Sequence, residues 1–272
     1  QAYQCRVPDR IELPRPPRQD STTVRAPVAR YTLAVSWSPE FCRSQRGRSA
    51  NDYQCSGKIG RFGFVLHGLW PEAAKGAPPQ WCALEPRPSL ADIRANLCMT
   101  PAPSLLEHEW AKHGSCMAVT PAGYFKVAGI LWNSLRLPDA DKLSRRPGLT
   151  AADLRREFVA RNPGFTERSV GLQVSNGGWL RELRLCYDKD FMPTPCPPRG
   201  RQRRARAPPP IPARKTESWR RHRFLAQGAE SGAAPAYGQG PPPSFGKARS
   251  SAADDRAIVR FADARLRHAD CP

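Results

Sequence analysis

Nine cysteines are scattered along the chain: Cys5, Cys42, Cys55, Cys82, Cys98, Cys116, Cys186, Cys196 and Cys271. None stands in a C-x-x-C pair, so ordinary zinc-finger spacing is absent. Cysteines spread this way suit disulfides formed in an oxidising compartment, and a fold stapled by such bridges is expected. The number is odd, so one cysteine is free or pairs between chains, and Cys271, next to the final residue, is the expected leftover. Cys42 and Cys55 bracket a polar loop that a bridge would close.

The pattern of the remaining residues divides the chain into three. Residues 1–30 carry five prolines and read as an extended lead-in pinned through Cys5. Residues 31–198 hold the periodic segments. Tyr31 to Trp37 and Arg61 to His67 read as strands, and Val170 to Val174 and Trp179 to Tyr187 flank Asn176-Gly177-Gly178 as a hairpin. Helices are expected at Ser89 to Leu97, from Thr120-Pro121 onward, and from Thr150 with Asp153 to Asn162. Another is expected from Ser104, with Glu107 completing a capping box, through His113 to Gly114. Strands and helices mix without regular βαβ alternation, which favours α+β over a doubly wound sheet.

Residues 199–272 form a basic, Pro/Arg-rich tail, expected to be mostly disordered with one short helix at Asp254 to His268. From residue 197 onward there are 16 Lys and Arg against 6 Asp and Glu, with 11 prolines, too little apolar surface to offset the entropy of ordering. This stretch supplies about half of a net charge of +19. It reads either as an electrostatic arm for RNA or another polyanion, or as an extension without a role. No run of about 18 apolar residues exists, so no membrane span is expected. The chain starts at Gln1 without a charged and then apolar leader, as a mature exported chain would. A secreted or periplasmic monomer is expected.

Only three histidines precede the tail, and they lie in two short segments, FVLHGLWPE (Phe64 to Glu72) and HEWAKHGSC (His108 to Cys116). On a helix Glu109 and His113 share a face, and a carboxylate one turn before an imidazole can orient it and stabilise its protonated form. A zinc protease helix needs two histidines four apart. Here they are five apart, about 140° from one another on the helix, and no metal or other cofactor is expected. Two imidazoles, a lysine and a carboxylate suit the cleavage of RNA through its own 2′-hydroxyl. One imidazole removes the 2′ proton, the other protonates the 5′ leaving oxygen, and Lys112 and His108 face the phosphate charge. Gly68 allows close backbone approach. Trp70 offers either a stacking face for a base or a packing surface, and Glu72 an acceptor for a base's exocyclic amine. A cationic polyanion-binding protein is the rival reading, although binding alone does not require this constellation.

These two segments resemble the active-site segments of the ribonuclease T2 family, with Ser115 where the family motif usually carries Thr. YTLAVSWSPEFC (Tyr31 to Cys42) and LRLCYDKDFMPTPC (Leu183 to Cys196) extend the resemblance across about residues 31–196. The resemblance implies an α+β fold around a central antiparallel sheet. It implies endonucleolytic cleavage of single-stranded RNA to 2′,3′-cyclic phosphates, followed by slower hydrolysis to 3′-phosphates. His113 would be the general base and His67 the general acid, supported by Glu109, His108 and Lys112. It also suggests the bridges Cys82–Cys116, Cys42–Cys55 and Cys186–Cys196, leaving Cys5 with Cys98. Members normally end on one more short strand. No segment of the tail reads as one, and Trp219 is the only candidate remnant.

Overall fold

Strand β2 (Arg30–Trp37) is the spine of the molecule. In this computed structural model, which describes residues 2–43, 45, 53–197 and 258–261, it lies between two antiparallel partners. One is β4 (Phe64–Glu72); the other is β6 (Leu180–Asp188), which pairs in turn with β5 (Val170–Val174). Two short strands, β1 (Ala2–Tyr3) and β3 (Arg61–Phe62), form a separate ribbon. Leu33, Leu69, Leu183 and Leu185 are fully buried in one core with side chains from the helices. All described residues belong to one compact unit.

Helices α1 (Ser38–Arg43) and α2 (Tyr53–Ser56) follow β2, and α3 (Leu90–Asn96), α4 (Pro103–Lys112) and α5 (Pro121–Ser134) follow β4. Two more, α6 (Ala140–Ser144) and α7 (Ala151–Arg161), precede β5. The sequence locates most of their starts. Ser89 caps α3 with a reciprocal bond to Asp92, Thr120 caps α5 ahead of Pro121, and Thr150 and Asp153 form the capping box of α7. Helix α4 differs: it begins at Pro103 with Ala102 as an unassisted N-cap, not at a Ser104–Glu107 capping box. Proline's fixed φ is itself suited to the first helical position, and Glu107 turns instead to Arg87, at 2.5 Å.

The second strand runs further than its pattern suggests, continuing through Gly68-Leu69-Trp70-Pro71 to Glu72. Pro71 is tolerated because β4 is an edge strand. Its outer edge is covered: the Leu66 N–H donates to Met99 O, Thr100 Oγ1 donates to Leu66 O, and the Leu69 N–H donates to the Tyr124 hydroxyl.

The sheet gains a closing segment from the far end of the chain. Ile258 to Phe261 is extended and not helical, which corrects that part of the helix expected at Asp254 to His268; the rest of that span lies outside the described residues. Leu180 N–H donates to Arg260 O, Arg260 N–H to Gly178 O, and Val259 N–H to Leu149 O. Val259 and Phe261 are buried while Ile258 and Arg260 are exposed, the period-2 alternation of a half-buried strand. Phe261 meets Trp37 edge-on. Trp219, the remnant suggested above, and Cys271 both lie outside the described residues.

Four disulfides staple the unit: Cys5–Cys98, Cys42–Cys55, Cys82–Cys116 and Cys186–Cys196. The first ties the lead-in to the end of α3 across 93 residues, the span for which loop-closure arguments give the largest stabilisation.

Candidate active site

His67 reaches the site through a fault in the sheet. Ala34 and Val35 of β2 pair with Gly68 and Leu66, so His67 is the extra residue of a β-bulge. Strict alternation would place neighbouring residues 67 and 68 on opposite faces. The bulge resets the register and leaves Leu66 and Leu69 both buried, with His67 and Gly68 between them. From α4 and its C-cap come His108, Glu109, Lys112 and His113. The end of that helix is fixed three ways. Cys82–Cys116 bridges it, Trp81 N–H donates to Lys112 O, and the Ser115 hydroxyl donates to Ala111 O while accepting from Ala83 N–H. The serine at 115 thus keeps the hydroxyl that matters.

Glu109 is the hub. Its carboxylate, 3% exposed, accepts from Trp70 Nε1–H at 2.7 Å and lies 3.4 Å from Nε2 of His67. Gly68 makes room for it: a Cβ at that position would clash with the carboxylate, 2.8 Å from its Cδ and 2.9 Å from Trp70 Nε1. The pairing of Glu109 with His113, expected from their helical spacing, gives way to pairing with the strand histidine. His113 instead lies against the Trp70 ring (centroids 5.6 Å apart), and its buried Nδ1 has no hydrogen-bond partner in the structure. His67 meets the same indole edge-on at 5.2 Å. The strand and helix imidazoles therefore flank a single tryptophan.

The two rings differ in protonation. Burial alone would lower the pKa of His67, but Glu109 and Glu182 reverse this and raise it to about 10. Burial would raise Glu109, yet the adjacent imidazoles hold it down at about 2. His113 goes the other way: burial, with the positive charges of Lys112, His108 and His67, outweighs Glu109 and lowers it to about 4. Near neutral pH one imidazole is a charged donor and the other a neutral acceptor. Two imidazoles that would each titrate near 6.5 when unperturbed are thus split by their surroundings.

His108 and Lys112 lie one step away, around Trp81. The His108 ring meets Trp81 edge-on at 5.4 Å, and burial leads the lowering of its pKa. Lys112 is engaged by Asp20 of the lead-in, its Nζ 2.7 and 2.9 Å from the two carboxylate oxygens. Burial would raise the Asp20 carboxyl, but bonds from Lys112, Ser21 and Trp81 hold it at about 2. Part of the lysine's charge is therefore already neutralised, a partner that the pattern of the helix does not announce. Trp70 lies under the Arg184 guanidinium, 5.0 Å from the ring centroid. Glu72, at the end of β4, accepts from Thr32 Oγ1 at 2.5 Å.

Like Asp20, Glu182 and Arg184 of β6 are site residues that the sequence pattern does not suggest. The one available signal was an acidic residue within a strand of buried apolar positions, Leu180 to Tyr187. Among the described residues no group of three or more His, Cys, Asp and Glu side chains is placed to hold a metal ion.

Fold and site together define a disulfide-stapled α+β protein with two imidazoles, shifted in opposite directions, beside a buried carboxylate. A profile of the Ribonuclease T2 family matches residues 29–144. A probable ribonuclease of Haemophilus influenzae is 36% identical over 186 residues, 63% of this chain and 62% of that protein's length. A ribonuclease of Aeromonas hydrophila is 31% identical (59% and 72% covered), and ribonuclease I of Escherichia coli K12 is 32% identical (61% and 77%). Among solved structures, trichomaglin, described as an S-like ribonuclease, superposes with a TM-score of 0.53 at 23% identity, over 63% of this chain and 92% of its own. RNase NT in complex with 5′-AMP gives 0.50 at 24%, over 64% and 94%. The chain belongs to the ribonuclease T2 family.

Proposed function

We propose that this protein is an endoribonuclease that cleaves single-stranded RNA by metal-independent transesterification, through 2′,3′-cyclic phosphates to 3′-phosphate ends. The observation that carries the reading is the pair His67 and His113, a charged and a neutral imidazole on either side of Trp70 and Glu109. In the first step His113 takes the 2′-hydroxyl proton, the 2′ oxygen attacks phosphorus, and His67 gives a proton to the departing 5′ oxygen. The pair ends in reversed protonation, which readies it for water to open the cyclic ester by the same path in reverse. Glu109 keeps His67 charged and holds Trp70. Lys112 and His108 face the added negative charge of the phosphorane, Lys112 with Asp20 tempering it.

Trp70 and Glu72 remain the proposed base-binding residues. With its N–H committed to Glu109 and Arg184 over its ring, Trp70 would also hold the acid and base apart. The four disulfides favour an oxidising setting, secreted or periplasmic, and no helix among the described residues is long and apolar enough to cross a membrane.

Digestion of a dinucleotide and of long RNA in excess chelator tests the reading. The expected result is undiminished cleavage, with cyclic phosphate ends appearing before 3′-phosphates. Loss of activity in chelator, or 5′-phosphate products, would contradict it.

A further inference from the structure

Besides Glu109, His67 is held by a second carboxylate, on the other side of the sheet's central strand. Glu182 is 7% exposed, so its charge requires compensation. Each of its oxygens has its own partner: Oε2 lies 2.7 Å from Nδ1 of His67 and accepts from Ser36 Oγ at 3.3 Å, and Oε1 accepts from Arg184 Nε at 2.9 Å. It reaches β4 from β6 across β2, past the two alternate β2 positions that carry small residues, Ala34 opposite Gly68 and Ser36 opposite Glu182. A bulky side chain at either position would fill that path.

We infer that Glu182 is a positioning residue for the reaction. It fixes the His67 ring with Nδ1–H bound to its carboxylate, so that Nε2 carries the proton given to the leaving group. The inference rests on the reading of His67 as general acid given above. A carboxylate behind an imidazole does three things at once: it fixes the tautomer, fixes the ring's rotation and stabilises the imidazolium. Glu182 itself takes up no proton. After transfer, the neutral His67 keeps its proton on Nδ1, bound to Glu182, and Nε2 is the acceptor for the next half-reaction. Arg184, held over Trp70, keeps the carboxylate ionised and aimed.

His67 faces charge from both sides. Glu109, His108 and His113 approach from α4 and its C-cap, and Glu182 with Arg184 from β6. Glu109 remains in a Glu182 variant, so its loss should move His67 down without returning it to an isolated imidazole.

The test is Glu182→Gln, nearly isosteric, with Glu182→Asp as the charge-conserving variant and His67→Ala alongside. For Glu182→Gln the alkaline limb of kcat/KM should move at least one unit toward neutral, since a tenfold change in protonation equilibrium is one pKa unit. Above the wild-type limb, near pH 10, kcat should fall several-fold or more below wild type with little change in KM, while the loss near pH 5 should be smaller. Glu182→Asp should restore part of the alkaline limb. Imidazole nitrogen shifts of the wild-type protein should show His67 protonated and hydrogen-bonded at Nδ1, whether or not the variants fold. An inactive His67→Ala together with an unmoved Glu182→Gln profile would overturn the positioning role alone, as would a wild-type His67 protonated only at Nε2. A fully active His67→Ala would instead overturn the underlying reading of His67.

Discussion

Replacing His67 or His113 by alanine is expected to lower kcat/KM on a dinucleotide by roughly 10²–10⁴-fold each, the range for loss of a positioned acid or base. Affinity for long RNA should persist, because binding draws on the positive charge of the whole chain. The double variant should be little worse than the poorer single one, because acid and base serve the same transition state and their losses do not add. Steady-state kinetics with filter binding on the same preparations separates the two effects. A variant that keeps near-normal turnover would remove that histidine from the mechanism.

The second large effect is expected at a residue with no side chain. Gly68→Ala would drive a methyl group into the Glu109 carboxylate and against Trp70 Nε1. The carboxylate has little room to yield, since it is buried and bonded to that indole. The cost to stability should be about 1–3 kcal/mol, as for other overpacked sites. The cost to kcat should be larger in proportion, roughly 100-fold, because displacing Glu109 by about 1 Å releases both His67 and Trp70. Urea denaturation and single-turnover rates measure the two losses. A fully active Gly68→Ala protein would show that Glu109 need not sit where it does. Gly114 provides a comparison: a Cβ there would meet the rings of Trp110 and Tyr124 at 2.7 Å, so its substitution should act mainly on packing.

What the sequence discloses about the site is local. His108, Glu109, Lys112 and His113 are read together because one helix carries them, and the FVLHGLWPE segment is recognisable as its counterpart. Capping residues at Ser89, Thr120 and Thr150 mark helix starts because a side-chain oxygen three residues before a free N–H is a short-range event. What stays hidden is set by distance along the chain. Glu109 comes within 3.4 Å of His67 Nε2 because the placement of β4 against α4 decides the contact, and helical spacing cannot report it. The bulge at His67 leaves no trace in a pattern where Leu66 and Leu69 are both simply apolar. Glu182 is separated from His67 by 115 residues, and Asp20 from Lys112 by 92. The extended segment Ile258 to Phe261 is obscured by its setting. Four alternating residues between Ala-, Asp- and Arg-rich flanks resemble a helix until Leu149, Gly178 and Leu180 supply partners for their backbone.

The account depends most on His67 and His113 being in opposite protonation states while they share one pocket. His67, raised to about 10, should be charged at every pH below that value. His113, lowered to about 4, should be neutral at every pH above it. The free enzyme then rises in kcat/KM as His113 loses its proton, holds a plateau through neutrality, and falls only as His67 deprotonates. A nitrogen-15 NMR titration of the imidazoles from pH 4 to 10 reads both groups directly. The predicted result is an imidazolium at His67 and a neutral ring at His113 throughout pH 5.5 to 8.5. Two rings titrating together near pH 6.5 would contradict it.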